Sequence, residues 1–202
     1  MNTPEAQRRA RRQLIGIAAL FLVPVAISFW LYYGSGWRPS GSTQHGELVS
    51  PARPLPALSL PRPDGTTTSP GFLRGKWSLV YVGDGACGTA CQATLHDSRQ
   101  VRLALDKDLT RVQRVFLYRG SCCTPGWLER DHPDLIAASV AGPDAGPLLD
   151  VFRLAPGADP MAEGRLYVVD PLGNLMMSYA QGAAPKGVLT DLERLLKLSH
   201  IG

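Results

Sequence analysis

The sequence is poor in the residues from which most metal and hydrolytic centres are built. It holds only four histidines in 202 residues, and none stands with a C-x₂-C pair at zinc-ligand spacing. It has no Gly-rich phosphate loop and no G-x-S-x-G elbow, so the common nucleotide-binding and serine-hydrolase signatures are absent. There is no internal repeat and no low-complexity tract. Charged residues make up only 19% and hydrophobic residues 45%, a balance that excludes disorder over the whole chain. Only one apolar stretch is long enough to span a bilayer, which excludes a multi-span membrane protein. The length suits one domain, or one domain plus an anchor. Such a chain buries a real core without disulfide staples, so its four cysteines are not needed merely to hold it together.

The net charge of +4 first suggests a nucleic-acid partner. Its location removes that reading. Arg8, Arg9, Arg11 and Arg12 against Glu5 give +3 within residues 1–13, which leaves about +1 for the remaining 189. The basicity is an N-terminal flag. Directly after it, Leu14 to Tyr33 runs for twenty residues without a charge, about 30 Å of helix and the thickness of a bilayer core. Phe29, Trp30, Tyr32, Tyr33 and Trp37 cluster at the far end, where amphipathic rings prefer the interface. Pro24 inside the run is tolerated better in a membrane helix than in a soluble one. The positive-inside rule then holds residues 1–13 in the cytoplasm and sends residues 34–202 across the membrane. For a bacterial cell this means a single-pass inner-membrane protein with its C-terminal domain in the periplasm. Ala26-Ile27-Ser28 loosely fits a signal-peptide cleavage site, but the run continues past it into bulky aromatics, which favours an uncleaved anchor. Either reading exports the C-terminal domain to a compartment that permits disulfides.

Residues 34–71 are rich in Gly, Ser and Pro, with seven of the seventeen prolines, and read as a semi-rigid stalk. His45 and Arg53 are then solvated stalk residues. Leu55, Leu58 and Leu60 offer an edge strand. The exported domain proper is expected over 72–202. Trp77 to Val82 is a β-favouring apolar run and predicts a buried strand. Cys91 to Lys107 predicts a helix, with Thr94, Ser98, Val101 and Leu105 at helical spacing. Val112 to Tyr118 predicts a second strand. Asp134 to Val140 and Pro147 to Leu154 read as short helices. Arg165 to Val169 and Leu175 to Tyr179 predict a hairpin about the Asp170–Asn174 turn. Lys186 to Leu198 is the clearest helix, with Val188, Leu192, Leu195 and Leu196 on one face. Strand, helix, strand, helices, hairpin and closing helix together make an α/β, thioredoxin-like sandwich behind a single N-terminal transmembrane helix.

Cys87 and Cys91 form a C-x₃-C pair where the first strand hands over to the first helix. A helix N-terminus presents free N–H groups and partial positive charge, and both stabilise a thiolate. Cys87 is therefore expected to be the more reactive sulfur, with a depressed pKa. Four residues is about one helical turn, so the two sulfurs can close a disulfide or share one soft metal ion. Two merely structural cysteines would satisfy the same spacing. Cys122 and Cys123 are adjacent, after the second strand. The C-terminal ends of parallel strands share one edge of an open sheet, so this loop is expected to approach Cys87. A bond between neighbouring cysteines closes a strained ring, and such bonds are readily reduced, which suits a resolving or accessory metal role. An idle loop pair is the alternative. His96 falls roughly 140° around the helix from Cys91 and reads as a surface residue. His132 reads as a helix-start residue and His200 is terminal.

The single anchor, the exported domain, the C-x₃-C after Trp77–Val82, and the stretch Leu166-Tyr167-Val168-Val169-Asp170-Pro171-Leu172-Gly173 resemble the Sco family. These are membrane-anchored thioredoxin-fold proteins that help build the copper site of cytochrome c oxidase. The likeness runs over about residues 45–200. It implies a copper chaperone or thiol–disulfide reductase, with Cys87 and Cys91 as catalytic thiols or Cu(I) ligands and an oxidase subunit or another exported thiol protein as partner. The chain departs from the family in two ways. The prolines of the family's C-P-x-x-C-P are replaced by Gly88 and Gln92. The family's copper-binding histidine has no counterpart in Asp159-Pro160-Met161-Ala162-Glu163-Gly164. Met161 is a soft thioether at that point and an accessory candidate for Cu(I). Pro160 is the nearest candidate for a thioredoxin-type cis-proline. Three functions follow as expectations: a metallochaperone-like assembly factor, a thiol–disulfide oxidoreductase, and a non-catalytic interaction module. Peroxidase chemistry is disfavoured, because the peroxidatic Thr-x-x-Cys pattern is not found at Cys87.

Overall fold

A computed structural model of the chain describes residues 4–34, 44–123 and 126–199. Trp37, the start of the expected stalk, Pro125 and His200 lie outside these residues. The chain divides into two compact units, Met1–Thr43 and Gln44–Gly202.

Among its described residues, the first unit holds one helix, α1 (Pro4–Tyr33). Its segment Gln7–Tyr33 is long and apolar enough to cross a membrane. Leu20, Phe21, Phe29 and Trp30 are exposed on it, the arrangement a lipid-facing helix needs and a water-facing one does not.

The second unit is a six-stranded mixed sheet with helices on both faces. In chain order it comprises β1 (Glu47–Pro54), β2 (Trp77–Asp84), α2 (Thr89–Ala104), β3 (Val112–Arg119), α3 (Trp127–Asp131) and β4 (Leu135–Ser139). Then follow α4 (Gly146–Phe152), α5 (Pro160–Glu163), β5 (Leu166–Val169), β6 (Asn174–Tyr179) and α6 (Pro185–Leu198). The strand order is β1-β6-β5-β2-β3-β4. β2, β3 and β4 run parallel, while β5, β6 and β1 alternate. Because β2 is central and covered on both faces, it is buried without alternation from Trp77 to Gly83, and Ser78 is its one buried polar side chain. Its side chains split by parity: Trp77, Leu79 and Tyr81 face α2 and α6, while Val80 and Val82 face α4. Val188, Leu192 and Leu196 of α6, and Cys91, Leu95 and Val101 of α2, complete the first core. Leu148, Leu149 and Phe152 of α4 complete the second. Each fully buried Leu, Val or Phe contributes about 1.5–3 kcal/mol.

Two expectations change here. Asp134 to Val140 is not a helix but β4, paired in parallel with β3. Short apolar runs of this kind do not distinguish strand from helix by periodicity, and the exposed edge of β3 settles the choice by offering a ladder. The stretch read as stalk folds onto the domain from Gln44 onward. It supplies β1, whose partner is β6, and buries Leu55 and Leu60 against the α4 face. Arg53, expected to be solvated, donates to the carbonyls of Val151 (3.2 Å) and Arg153 (2.7 Å), satisfying the end of α4.

His45 likewise has a task. The backbone N–H groups of His45 (2.7 Å) and Gly46 (3.0 Å) donate to Asp191 Oδ2, as does the Tyr179 hydroxyl (3.0 Å). His45 Nδ1 lies 3.3 Å from Asp191 Oδ1. Burial alone raises the Asp191 carboxyl, but these donors outweigh it and hold the group below the usual carboxylate range. Asp191 thus clasps the start of the domain to α6. Gly46 and Gly187 permit the close approach: a Cβ on Gly187 would fall 2.8 Å from that of His45.

Candidate functional site: two cysteine pairs at one edge of the sheet

β2 and β3 are parallel and in register to their last residues, Asp84 opposite Arg119. Their outgoing loops therefore leave the sheet side by side. The first is a tight turn: Asp84 Oδ1 accepts from the Ala86 N–H at 2.8 Å, and the Asp84 carbonyl accepts from Cys87 at 3.1 Å. The second crosses it directly. Gly85 N–H donates to the Arg119 carbonyl, and Cys123 N–H donates to the Gly85 carbonyl, each at 2.8 Å. Gly85 makes this possible. A Cβ there would stand 2.5 Å from the Ser121 carbonyl oxygen and 3.1 Å from that of Arg119.

Cys87 and Cys91 are joined by a disulfide, and so are Cys122 and Cys123. Cys87 and Cys123 both take positive φ values, 44° and 55°, which residues with a Cβ rarely adopt. The first pair sits at the start of α2, whose N-cap is Gly88. No side chain caps this end and no acidic residue lies in its first turn. Its positive end is thus left for the sulfurs. Gln92 Nε2 donates to the Cys87 carbonyl at 3.0 Å and fixes that residue's backbone. The two pairs differ in access. Cys87 is 2% exposed and Cys91 6%, both within the core, whereas Cys122 and Cys123 are half-buried and pack against that core from outside.

α2 is held in place from below by a charged side chain inside the sheet. Arg114 of β3 is fully buried. It donates to the Leu95 carbonyl, to Ser98 Oγ (3.1 Å) and to Asp134 Oδ1 (3.1 Å), and lies 3.4 Å from His132 Nδ1. Arg102 of α2 takes the other oxygen of Asp134 at 3.3 Å. Burial pulls the Arg114 guanidinium down from its usual value while Asp134 opposes that pull. His132 is itself buried, edge-on to Trp127 with ring centroids 4.8 Å apart. Burial, then the charge of Arg114, holds its imidazole below the ordinary value. So His132, read from the sequence as a helix-start residue, is a core support beneath the site. Arg114 and Trp127 were not singled out at all. The available signal was a lone charge in the apolar strand Val112–Tyr118, because arginine is almost never fully buried unpaired.

The remaining candidates lie elsewhere. His96 is exposed on α2, beside Asp97. Met161, in α5, packs against the α4-side core. It lines a cleft of about 340 Å³ with Asp84, Arg119, Gly120, Asp159 and Ala162. Pro160 is not a cis-proline: the cis bond among the described residues is Ser50–Pro51. Pro160 opens α5, a position that suits its fixed φ, and Asp159 caps it by accepting from the Met161 N–H at 3.0 Å. Among the described residues, no group of three or more His, Cys, Asp or Glu side chains forms a metal cage. Cys87 and Cys91, joined here as a disulfide, would present two thiolates once reduced.

The fold is shared with several solved proteins. Apo Sco1 from Thermus thermophilus superposes with a TM-score of 0.58 at 20% identity, over 78% of this chain and 99% of its own. Copper-bound Sco1 from yeast gives 0.56 at 18%, over 74% and 95%. A thiol:disulfide interchange protein of the thioredoxin family from Chlorobium tepidum gives 0.55 at 16%, over 73% and 99%. At such identities the likeness establishes the thioredoxin-like sandwich expected from the sequence. A search of curated proteins by sequence found no match. A family model described as "Transmembrane-like, thioredoxin-like, C-terminal domain" matches residues 77–199, from the start of β2 past the end of α6. With well over half of the sequence matched, this chain belongs to the transmembrane-like, thioredoxin-like family.

Proposed function

We propose that the protein is a membrane-anchored thiol- and copper-handling assembly factor that works on exported copper proteins, with a cytochrome c oxidase subunit as its partner. Arg8, Arg9, Arg11 and Arg12 hold the N-terminus in the cytoplasm, and the sandwich stands in the periplasm. The observation that carries the reading is the placement of Cys87 and Cys91 at the uncapped N-terminus of α2 within a thioredoxin fold. The reduced Cys87–Cys91 pair gives two electrons to a partner disulfide, whose cysteines are released as thiols while the Cys87–Cys91 bond closes. Partner cysteines leave reduced and ready to take copper. The copper part of the reading draws on the copper-bound Sco relatives. The same two thiolates carry Cu(I) as cargo, in linear coordination.

One sample tests both halves. Reduced full-length protein in detergent, followed by thiolate absorbance, is expected to show Cys87 titrating at least a unit below a free thiol, whose pKa is about 8.5. A value at or above that of a free thiol contradicts the thiol reading. In an anaerobic Cu(I) titration, the native chain is expected to bind one ion that Cys87→Ser/Cys91→Ser does not. Equal binding by both contradicts copper carriage.

A further inference from the structure

Cys87 and Cys91 are 2% and 6% exposed, so a partner sulfur has no direct path to their bond. Exchange requires an in-line approach to sulfur, and a folded partner cannot make one into a sealed core. The cysteines that a partner can reach are Cys122 and Cys123, which are half-buried in the neighbouring loop. That loop is fastened to the turn carrying Cys87 by the Cys123 N–H···O=C Gly85 bond (2.8 Å), across a glycine that admits no side chain. Both cysteine pairs pack on the same core cluster.

We propose that Cys122 and Cys123 form a relay that passes electron pairs between exported protein dithiols and the buried Cys87–Cys91 pair. This rests on the reading of Cys87 and Cys91 as a redox pair. For reduction, a thiolate of the partner dithiol attacks Cys122 Sγ and expels Cys123 as a thiolate. The partner's second thiolate, its proton given to solvent, then displaces Cys122 and closes the partner disulfide. Cys123 next attacks Cys87 Sγ and expels the Cys91 thiolate. Finally Cys122 attacks Cys123 Sγ, restores the Cys122–Cys123 bond and releases Cys87. The two electrons given up by the partner now reside on Cys87 and Cys91, which take up protons from solvent according to pH. Cys87 is the last leaving group because the N-terminus of α2 stabilises its thiolate. Run backwards, the same steps reduce a partner disulfide.

The test uses oxidised full-length protein in detergent and reduced thioredoxin as the protein dithiol. Acid quenching and thiol alkylation, read by mass spectrometry, report each cysteine. Cys122→Ser/Cys123→Ser is expected to slow reduction of Cys87–Cys91 by about tenfold or more, while its equilibrium potential stays unchanged. Equal rates in the two proteins overturn the relay and leave the redox pair standing. A Cys87–Cys91 bond that stays oxidised in both proteins at equilibrium with the dithiol overturns the underlying redox reading instead. A second variant guards against misfolding. Cys91→Ser/Cys122→Ser leaves only Cys87 and Cys123, which are expected to close a single disulfide on mild oxidation with glutathione disulfide. Its failure to form overturns the proposed contact.

Discussion

Asp134→Ala is expected to lower the stability of the exported domain by about 3 kcal/mol, measured by chemical denaturation. Arg114 is fully buried, and Asp134 is the carboxylate that compensates its charge, at 3.1 Å. Removing that carboxylate leaves a guanidinium in the core and strips Arg102 of its ion pair as well. The side chain of Asp134 is 25% exposed, so water relieves part of the loss and the lower end of the range for broken buried pairs applies. Because Arg114 also donates to Leu95 and Ser98, the damage extends to α2 and hence to the cysteines at its start. Arg114→Met/Asp134→Leu removes both charges and is expected to recover much of the loss, since the penalty belongs to the unpaired charge and not to the missing bond. A single variant within about 0.5 kcal/mol of the native protein would show that Arg114 is held by other groups.

Gly85→Ala should damage the site itself. The new methyl would meet the backbone of Ser121 and Arg119, which has no flexible end to swing away. Either turn must move, at a cost of about 1–3 kcal/mol. The expected readout is a loss of stability together with a marked slowing of electron transfer into Cys87–Cys91. Gly88→Ala is the matched control. It lies three residues away with open space around its Cβ position, so only the loss of a helix N-cap glycine is felt, about 1 kcal/mol or less. If the two variants behave alike, the crossing of the loops at Gly85 is not what joins the cysteine pairs.

The sequence made some features plain and hid others, for physical reasons. α6 is legible because Val188, Leu192 and Leu196 keep a helical period beside an exposed polar face. β2 and β3 are legible because a central parallel strand must be apolar on both faces. β4 is not, because Leu135-Ile136-Ala137-Ala138 suits either a short helix or a buried strand until β3 offers a ladder. β1 is hidden by its two prolines, which an edge strand tolerates and a central one would not. The cysteine site was half visible. Spacing and position place Cys87 and Cys91 at a helix start, and the parallel-sheet rule brings Cys122 and Cys123 to the same edge. Neither rule reveals that the first pair is sealed and the second reachable, because burial depends on how the two turns cross at Gly85. The missing histidine was also legible; Met161 packs on the α4-side core and lines a cleft with Asp84, Arg119 and Gly120, which lead into the two cysteine loops.

The most direct test of the central claim is made in the cell. The full chain, anchor included, is replaced by Cys87→Ser/Cys91→Ser, and the copper signature of cytochrome c oxidase is read in isolated membranes. This signature is expected to fall to the level of a strain lacking the protein, while the variant protein itself remains abundant and membrane-bound. An oxidase copper site of native intensity beside an abundant double variant would contradict it.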